Sequence, residues 1–205
     1  PTPYPTDNNV YYFGNNIDVR ICPKNAMSTI KNVAHLLNID HHDNKTTPAI
    51  WRVMNVIEKC DRINPPFRKG TTRYAIKRDP LERFLSAYRF LKMHHGVAMS
   101  IDKTLDKLET GEHKYEPHYM SQSFFMGYPE DYDKVYDIKD TITLLHILYK
   151  NREESTEIVP EDLVVNLHVN MTHDQKHLGG FELEDEQITR VKTLYETDYR
   201  RGWHG

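Results

Sequence analysis

Arg73-Tyr74-Ala75-Ile76-Lys77-Arg78-Asp79-Pro80-Leu81-Glu82-Arg83-Phe84-Leu85-Ser86-Ala87-Tyr88-Arg89 is a strand-like run that turns directly into a strongly signalled helix. Arg73 to Lys77 reads as the strand. Asp79 stands at the helix cap, Pro80 takes the first helical position, and Glu82 completes a capping box. On a helical wheel Leu81, Phe84, Leu85, Tyr88 and Leu91 share one face, while Asp79, Glu82 and Ser86 fall opposite them. The helix is expected to stop at Gly96. Arg78 sits where the strand ends, and a fixed guanidinium there can fork onto a phosphate. Ser86, on the side the apolar residues do not claim, can donate to the same phosphate if the chain folds Arg78 over it. The competing structural reading makes Arg78, Glu82 and Arg83 solvated charges on an amphipathic helix.

The same grammar occurs upstream. Ile17 to Cys22 alternates and reads as a short strand that Pro23 ends. A helix is expected from Ser28 or Thr29, with Ile30, Val33 and Leu37 on one face. Between them lies Pro23-Lys24-Asn25-Ala26-Met27-Ser28-Thr29. A strand end, a short loop and a helix start gather backbone N–H groups that can cradle an anion. Lys24 adds a mobile charge, and Ser28 and Thr29 add hydroxyl donors. The loop lacks the glycines of a Walker A sequence, so an ordinary ATP-binding loop does not fit. The competing reading is a capped helix with a surface lysine. Two anion sites on one α/β unit point to a nucleotide with two separate phosphate groups.

Further strands are expected at Lys134–Ile138 and Leu163–His168. Further helices are expected at Trp51–Ile57, at Thr141–Tyr149, and at Glu184–Tyr199 with Ile188, Val191, Leu194, Tyr195 and Tyr199 facing in. Residues 100–122 read as a helical segment followed by a loop. The alternation of strands and helices predicts an α/β fold, a three-layer parallel sheet flanked by helices. Ligands of such sheets bind at the carboxyl ends of the strands, which is where both loops fall. Residues 1–16, with three prolines and four asparagines and no period, read as a loosely ordered arm, leaving 17–205 as a single domain. A chain of 205 residues buries roughly 70% of its unfolded surface and needs no staples.

A net charge of −3 argues against a general nucleic-acid binder, which usually carries a basic surplus. Cys22 and Cys60 are the only cysteines, too few for a disulfide framework, and they fit a reducing compartment. No apolar run approaches the roughly eighteen residues that span a membrane, and no signal peptide is visible. The expectation is a cytoplasmic protein, with a trimmed lumenal catalytic domain as the alternative. His41-His42-Asp43 does not build a metal site, because adjacent histidines point in different directions. No metal is expected.

Taken together and in this order, the two loops resemble those of sulfotransferases that use 3′-phosphoadenosine-5′-phosphosulfate (PAPS). The chain is most similar to carbohydrate sulfotransferases of the chondroitin and glucuronyl type. That group typically has Pro-Lys-x-Ala-Cys-[Ser/Thr] in its 5′-phosphosulfate loop. Residues 23–28 match it with Met27 in place of the cysteine. The group's 3′-phosphate motif resembles Arg-[Asp/Glu]-Pro-x-Glu-Arg-x-x-Ser-Ala-Tyr-Arg, and residues 78–89 match every fixed position. A His-Trp-x-Pro-Gln segment is echoed by His118-Tyr119-Met120-Ser121-Gln122, with tyrosine for tryptophan and serine for proline. Asp133 to Tyr136 and Leu194 to Trp203 resemble the strand and the closing helix that follow, with Tyr195, Asp198 and Tyr199 in register. The likeness runs from about residue 17 onward.

This resemblance implies a P-loop-like nucleotide-binding fold and PAPS as the sulfuryl donor, with its 3′,5′-ADP product (PAP) left behind. Lys24 and the backbone of Asn25, Ala26, Met27, Ser28 and Thr29 would hold the 5′-phosphosulfate. Arg78 and Ser86 would hold the 3′-phosphate. The acceptor would be a hydroxyl, on a carbohydrate or a small metabolite. In-line attack on sulfur leaves growing charge on the 5′-phosphate oxygen, so positioning and electrostatics should dominate. Lys24 is the natural group to meet that charge. The base of first choice is His118, with His41 and His42 as alternatives. Two other functions compete. A kinase-like phosphotransferase should need Mg²⁺ and a fuller glycine-rich loop; a non-catalytic relative would bind the nucleotide and transfer nothing.

Overall fold

The computed structural model describes residues 10–14, 16–37, 41–42, 67–94, 99–112, 116, 118–151, 160–162, 164 and 182–204. In chain order these form β1 (Val10–Phe13), β2 (Ile17–Arg20), α1 (Met27–Leu36), β3 (His41–His42), β4 (Thr72–Lys77), α2 (Pro80–His94), α3 (Ile101–Glu109), α4 (Gln122–Met126), β5 (Lys134–Asp137), α5 (Thr141–Lys150), α6 (Asp185–Leu194) and α7 (Glu196–Arg200). The strands make one sheet in the order β3-β1-β2-β4-β5.

The sheet is mixed rather than wholly parallel. β2, β4 and β5 run parallel, as the strand–helix alternation requires, with Val19 beside Tyr74 and Ile76 beside Tyr136. β1 pairs antiparallel to β2, Val10 opposite Arg20, and β3 pairs antiparallel to β1. Val10 to Phe13, expected within a loosely ordered arm over residues 1–16, is instead a buried strand joined to β2 by a tight turn; residues 1–9 lie outside the described residues. Gly14 makes that turn at φ 55°, and a Cβ there would lie 2.1 Å from the Asn151 carbonyl oxygen. Proline and asparagine flank a strand whose own residues, Val-Tyr-Tyr-Phe, have high strand propensity.

Alternation along the strands sends side chains to two separate cores. Tyr11, Phe13, Ile17, Val19, Ile76 and Tyr136 pack with Ile30, Val33 and Leu37 of the α1 segment and Leu144, Leu145 and Leu148 of α5. Ala75 faces the other way and packs with Cys22, Met126, Tyr132 and Trp203. A third cluster joins helices to helices: Phe84, Ala87, Tyr88 and Leu91 of α2 meet Leu105 of α3, Tyr119, Val191 of α6 and Tyr195. Helices thus flank the sheet, and α2 leaves β4 at the carboxyl edge with its apolar stripe turned onto α3 and α6.

Other expectations differ in detail. The helix read over 184–199 is two helices, since Tyr195 at φ −106°, ψ 22° interrupts the ladder between α6 and α7. Within the expected strand 163–168, Val164 is helical and buried, and the other positions lie outside the described residues. So does the helix expected over 51–57; of residues 38–49, which read as a polar loop, His41–His42 instead form β3 and the others lie outside the described residues. Among the described residues no helix is long and apolar enough to cross a membrane.

The amino edge of the sheet is fixed by a buried charge. Asp18 is fully buried. It accepts from Arg68 N and Nε at 2.6 and 2.7 Å and from the Thr71 hydroxyl at 2.9 Å. Arg68 also donates to the carbonyls of Gly14 and Ile17 at 2.8 and 2.9 Å, which ties the β1–β2 turn to the start of β4. Removing one partner of a buried pair leaves the other charge uncompensated. Arg68→Ala should therefore cost about 3 kcal/mol in urea unfolding; a loss below about 1 kcal/mol would show that water replaces the guanidinium there.

Candidate functional site

β2 and β4 are neighbours in the sheet, so the loops that leave their carboxyl ends lie side by side. In the first loop, Lys24 and Ala26 have φ of 72° and 57°. L-residues with side chains pay about 1–2 kcal/mol each for this left-handed conformation. Backbone that enters and leaves it within a few residues turns successive N–H groups inward, the geometry of an anion-binding nest. The helical ladder starts only with Ile30 N donating to Ala26 O at 3.0 Å, so the N–H groups of Met27 and Ser28 precede it. Ser28 is exposed at the helix start and Thr29 is buried. The side chain of Asn25 serves the scaffold: its Nδ2 donates to the Ile76 carbonyl at 2.8 Å and to Gln122 Oε1 at 2.5 Å. Its backbone N–H is engaged as well, donating to the Cys22 carbonyl at 3.2 Å, so Asn25, expected to bind the anion, shapes the loop instead.

The second loop lies on the first. Arg78 Nη1 donates to the Lys24 carbonyl at 3.2 Å, and Arg83 Nε, fully buried, donates to the Pro23 carbonyl at 3.1 Å. Asp79 caps α2 by accepting from Leu81 N at 2.9 Å. Glu82 leans back to Arg78, with Nε and Oε2 3.6 Å apart. Ser86 is one turn beyond Glu82 and Phe90 one turn further, a stripe of about 12 Å along α2. Lys24 reaches the end of that stripe, its Nζ 4.2 Å from the centre of the Phe90 ring.

Ser86 departs from expectation. The helical wheel put it on the polar side, but it is 5% exposed and its Oγ has no hydrogen-bond partner among the described residues. A buried hydroxyl without a partner costs free energy that a bound acceptor would recover. The guanidinium Nε of Arg78 is buried too and makes no hydrogen bond among the described residues, only the 3.6 Å ion pair with Glu82.

Electrostatics agree with the geometry. Burial pushes the Lys24 amine down to about 8, helped by the charges of Arg78 and Arg83. Burial also lowers Arg78; Glu82 acts against the shift, while Arg83 and Arg89 add to it. Cations packed this closely are stabilised by an anion brought among them. Cys22, beneath the loop, is fully buried, and burial pushes its thiol up to about 11, which leaves it no nucleophilic character at neutral pH.

His118 joins this group. Its ring is stacked on Phe90, with centroids 4.6 Å apart and planes 30° apart, so Lys24 and His118 touch the same aromatic ring. Its Nδ1 lies 2.5 Å from Glu116 Oε1. The alternatives are placed elsewhere. His41 and His42 form the edge strand β3, with His42 level with Val10 and hence with the carboxyl end of β2. Two strand spacings put them about 10 Å to the side of β2.

Gln122 holds the two loops in register. It is fully buried. Its Oε1 accepts from Arg78 N at 2.9 Å and from Asn25, and its Nε2 donates to the Arg78 carbonyl at 2.7 Å and the Trp203 carbonyl at 3.0 Å. Ser121 caps α4 by accepting from Phe124 N at 3.1 Å. Buried Asp198 accepts from the Gln122 and Ser123 N–H groups at 2.9 and 2.7 Å. Sequence reasoning quoted Gln122 and Asp198 but gave them no task, considered Arg83 only as a solvated charge although it is fully buried, and missed Glu116 and Phe90. Two signals were present: the Glu-x-His spacing at 116–118, and the i, i+4 series of Glu82, Ser86 and Phe90.

Two outcomes check this arrangement. In ¹³C-lysine NMR spectra assigned with Lys24→Arg, the Lys24 amine should titrate near pH 8, charged below and neutral above; a midpoint beyond 10 would mean the amine is solvated. Gln122→Leu strips partners from Asn25, Arg78 and Trp203, and at about 1–3 kcal/mol per unsatisfied buried group the thermal unfolding transition should fall by several degrees or more. An unchanged transition would remove Gln122 from the scaffold. No family model, no curated protein and no solved structure matches this chain.

Proposed function

We propose that the protein is a PAPS-dependent sulfotransferase acting on a hydroxyl acceptor, most simply a carbohydrate or small metabolite. The observation that carries this reading is the convergence of Lys24, in a left-handed loop, with Arg78 folded over that loop and the buried Ser86, unpartnered among the described residues, on the adjoining helix. A chain of net charge −3 has gathered cations where two parallel strands end. The order of the two motifs matches the resemblance. The residues present fit the donor: hydrogen-bond donors and positive charge are available, and an orphaned hydroxyl awaits a phosphate oxygen.

On this reading the N–H groups of Met27 and Ser28 and the Lys24 ammonium hold the 5′-phosphosulfate. Arg78 and Ser86 hold the 3′-phosphate and select this nucleotide over ATP. PAPS supplies an activated sulfuryl group. Lys24 then meets the charge that develops on the departing phosphate oxygen, an interaction stronger in the transition state than before it. His118 accepts the proton of the attacking hydroxyl. A site with an ammonium and a guanidinium beside the anion gives a route to charge stabilisation without Mg²⁺, which sets it apart from a kinase-like phosphotransferase.

Calorimetry with 3′,5′-ADP tests the reading. The intact protein should bind it without Mg²⁺. Arg78→Ala should weaken binding roughly tenfold to a hundredfold, as expected for a lost charge-assisted hydrogen bond, and Ser86→Ala by less. Since Lys24 loses its charge as pH rises through about 8, affinity should fall above that pH and be retained below it. Folded protein that ignores 3′,5′-ADP, or that prefers ATP with Mg²⁺, would sink the assignment; binding without transfer to any hydroxyl in a broad panel would favour a non-catalytic relative.

A further inference from the structure

We propose that Glu116 is the positioning residue of the base: it holds His118 in the tautomer that carries its proton on Nδ1, so that the lone pair offered to the acceptor is on Nε2. The inference rests on the sulfotransferase reading for its chemistry, but its geometry stands apart from that reading. Glu116 Oε1 is 2.5 Å from His118 Nδ1, and a carboxylate only accepts hydrogen bonds. The proton of a neutral imidazole must then sit on Nδ1. The same oxygen lies 3.3 Å from the His118 backbone N–H, so the carboxylate is referenced to the peptide that carries the ring. The face of the ring lies on Phe90, which resists rotation about the side chain's second torsion. One edge of the imidazole is held by a carboxylate, one face is held by an aromatic ring, and that ring also touches the Lys24 ammonium.

The step that uses this arrangement balances as follows. A lone pair of the acceptor oxygen forms the new S–O bond. The S–O bond to the 5′-phosphate breaks, and its electron pair leaves on the phosphate oxygen of 3′,5′-ADP. The hydroxyl proton passes to Nε2, and the resulting imidazolium keeps its Nδ1–H on Glu116, whose negative charge stabilises it. The opposite tautomer would present an N–H to the hydroxyl and could not take the proton.

Two measurements test the role. Long-range ¹H–¹⁵N spectra of histidine-labelled protein, with His118 assigned by His118→Gln, should show the Nδ1–H form in the wild type without any ligand. Glu116→Ala should shift His118 toward the Nε2–H form that free imidazole side chains favour. Glu116→Gln keeps an acceptor oxygen and should restore the Nδ1–H form. Slow transfer of the sulfuryl group from PAPS to water, followed as release of 3′,5′-ADP, should fall roughly a hundredfold in Glu116→Ala and partly recover in Glu116→Gln. The affinity for 3′,5′-ADP and the thermal unfolding transition should not move. An Nε2–H tautomer in the wild type, or an Nδ1–H tautomer that persists in Glu116→Ala, overturns the proposal; so does an unchanged PAPS cleavage rate in that variant. Failure of the sulfotransferase reading looks different: the wild type would not bind 3′,5′-ADP, while the tautomer would still report on Glu116.

Discussion

The carboxamide of Gln122 closes on both backbone groups of Arg78, giving one hydrogen bond and taking another, as a neighbouring β-strand would. That clamp sets where β4 ends and where the guanidinium begins. The same side chain takes the Asn25 amide from the first loop and reaches the Trp203 carbonyl. Asp198 fixes the clamp in turn through the first N–H groups of α4. A buried polar network of this kind is costly unless complete, and for Gln122 it is complete on both sides of the amide. Gln122 thus joins the two loops through a side chain whose polar atoms are all engaged.

Beside the fully bonded Gln122 stands a group of residues that is less well satisfied. Arg83 is buried with its Nε on a carbonyl, Lys24 is partly desolvated beside two guanidinium groups, and Ser86 Oγ has no partner among the described residues. Left-handed backbone at Lys24 and Ala26 adds strain of its own. Strain and unpaired donors coincide at the carboxyl ends of two parallel strands, and under the proposed function a bound anion would offset both. The scaffold around Gln122 and the Asp18–Arg68 pair at the opposite edge supply the stability that this arrangement consumes.

Much of this was readable because it is local. The cap at Asp79, the proline at position 80 and the apolar face of α2 all depend on residues a few positions apart, and they appear as expected. The loop at residues 23–29 was legible for the same reason. Ser86 was misplaced because a helical wheel sees one helix, whereas its burial is decided by what the rest of the chain lays against α2. β1 was missed because the composition of its flanks outweighed four strand-forming residues that need β2 to pair with. Tyr195 breaks the last helix to send its hydroxyl to the Tyr119 carbonyl at 2.6 Å, a tertiary demand that periodicity does not carry. Glu116 went unnoticed because a carboxylate two residues from a histidine has meaning only once the chain turns there.

The hydrogen bonds of Gln122 join residues 44, 81 and 97 positions apart, and those of Asp198 reach back 75 and 76. Contacts of such sequence separation form only after the entropy of closing the intervening chain has been met, and they slow the search for the native state. The order of events during folding is therefore constrained. The first turns of α2 can assemble from their own neighbourhood, but β2 pairs with β4 across a long stretch of chain, Ile17 beside Thr72, and the Gln122 clamp gains its last partners only when the closing helical segment docks. Docking of the closing segment and completion of the clamp on Arg78 are one event, because Asp198 and Trp203 both end on Gln122.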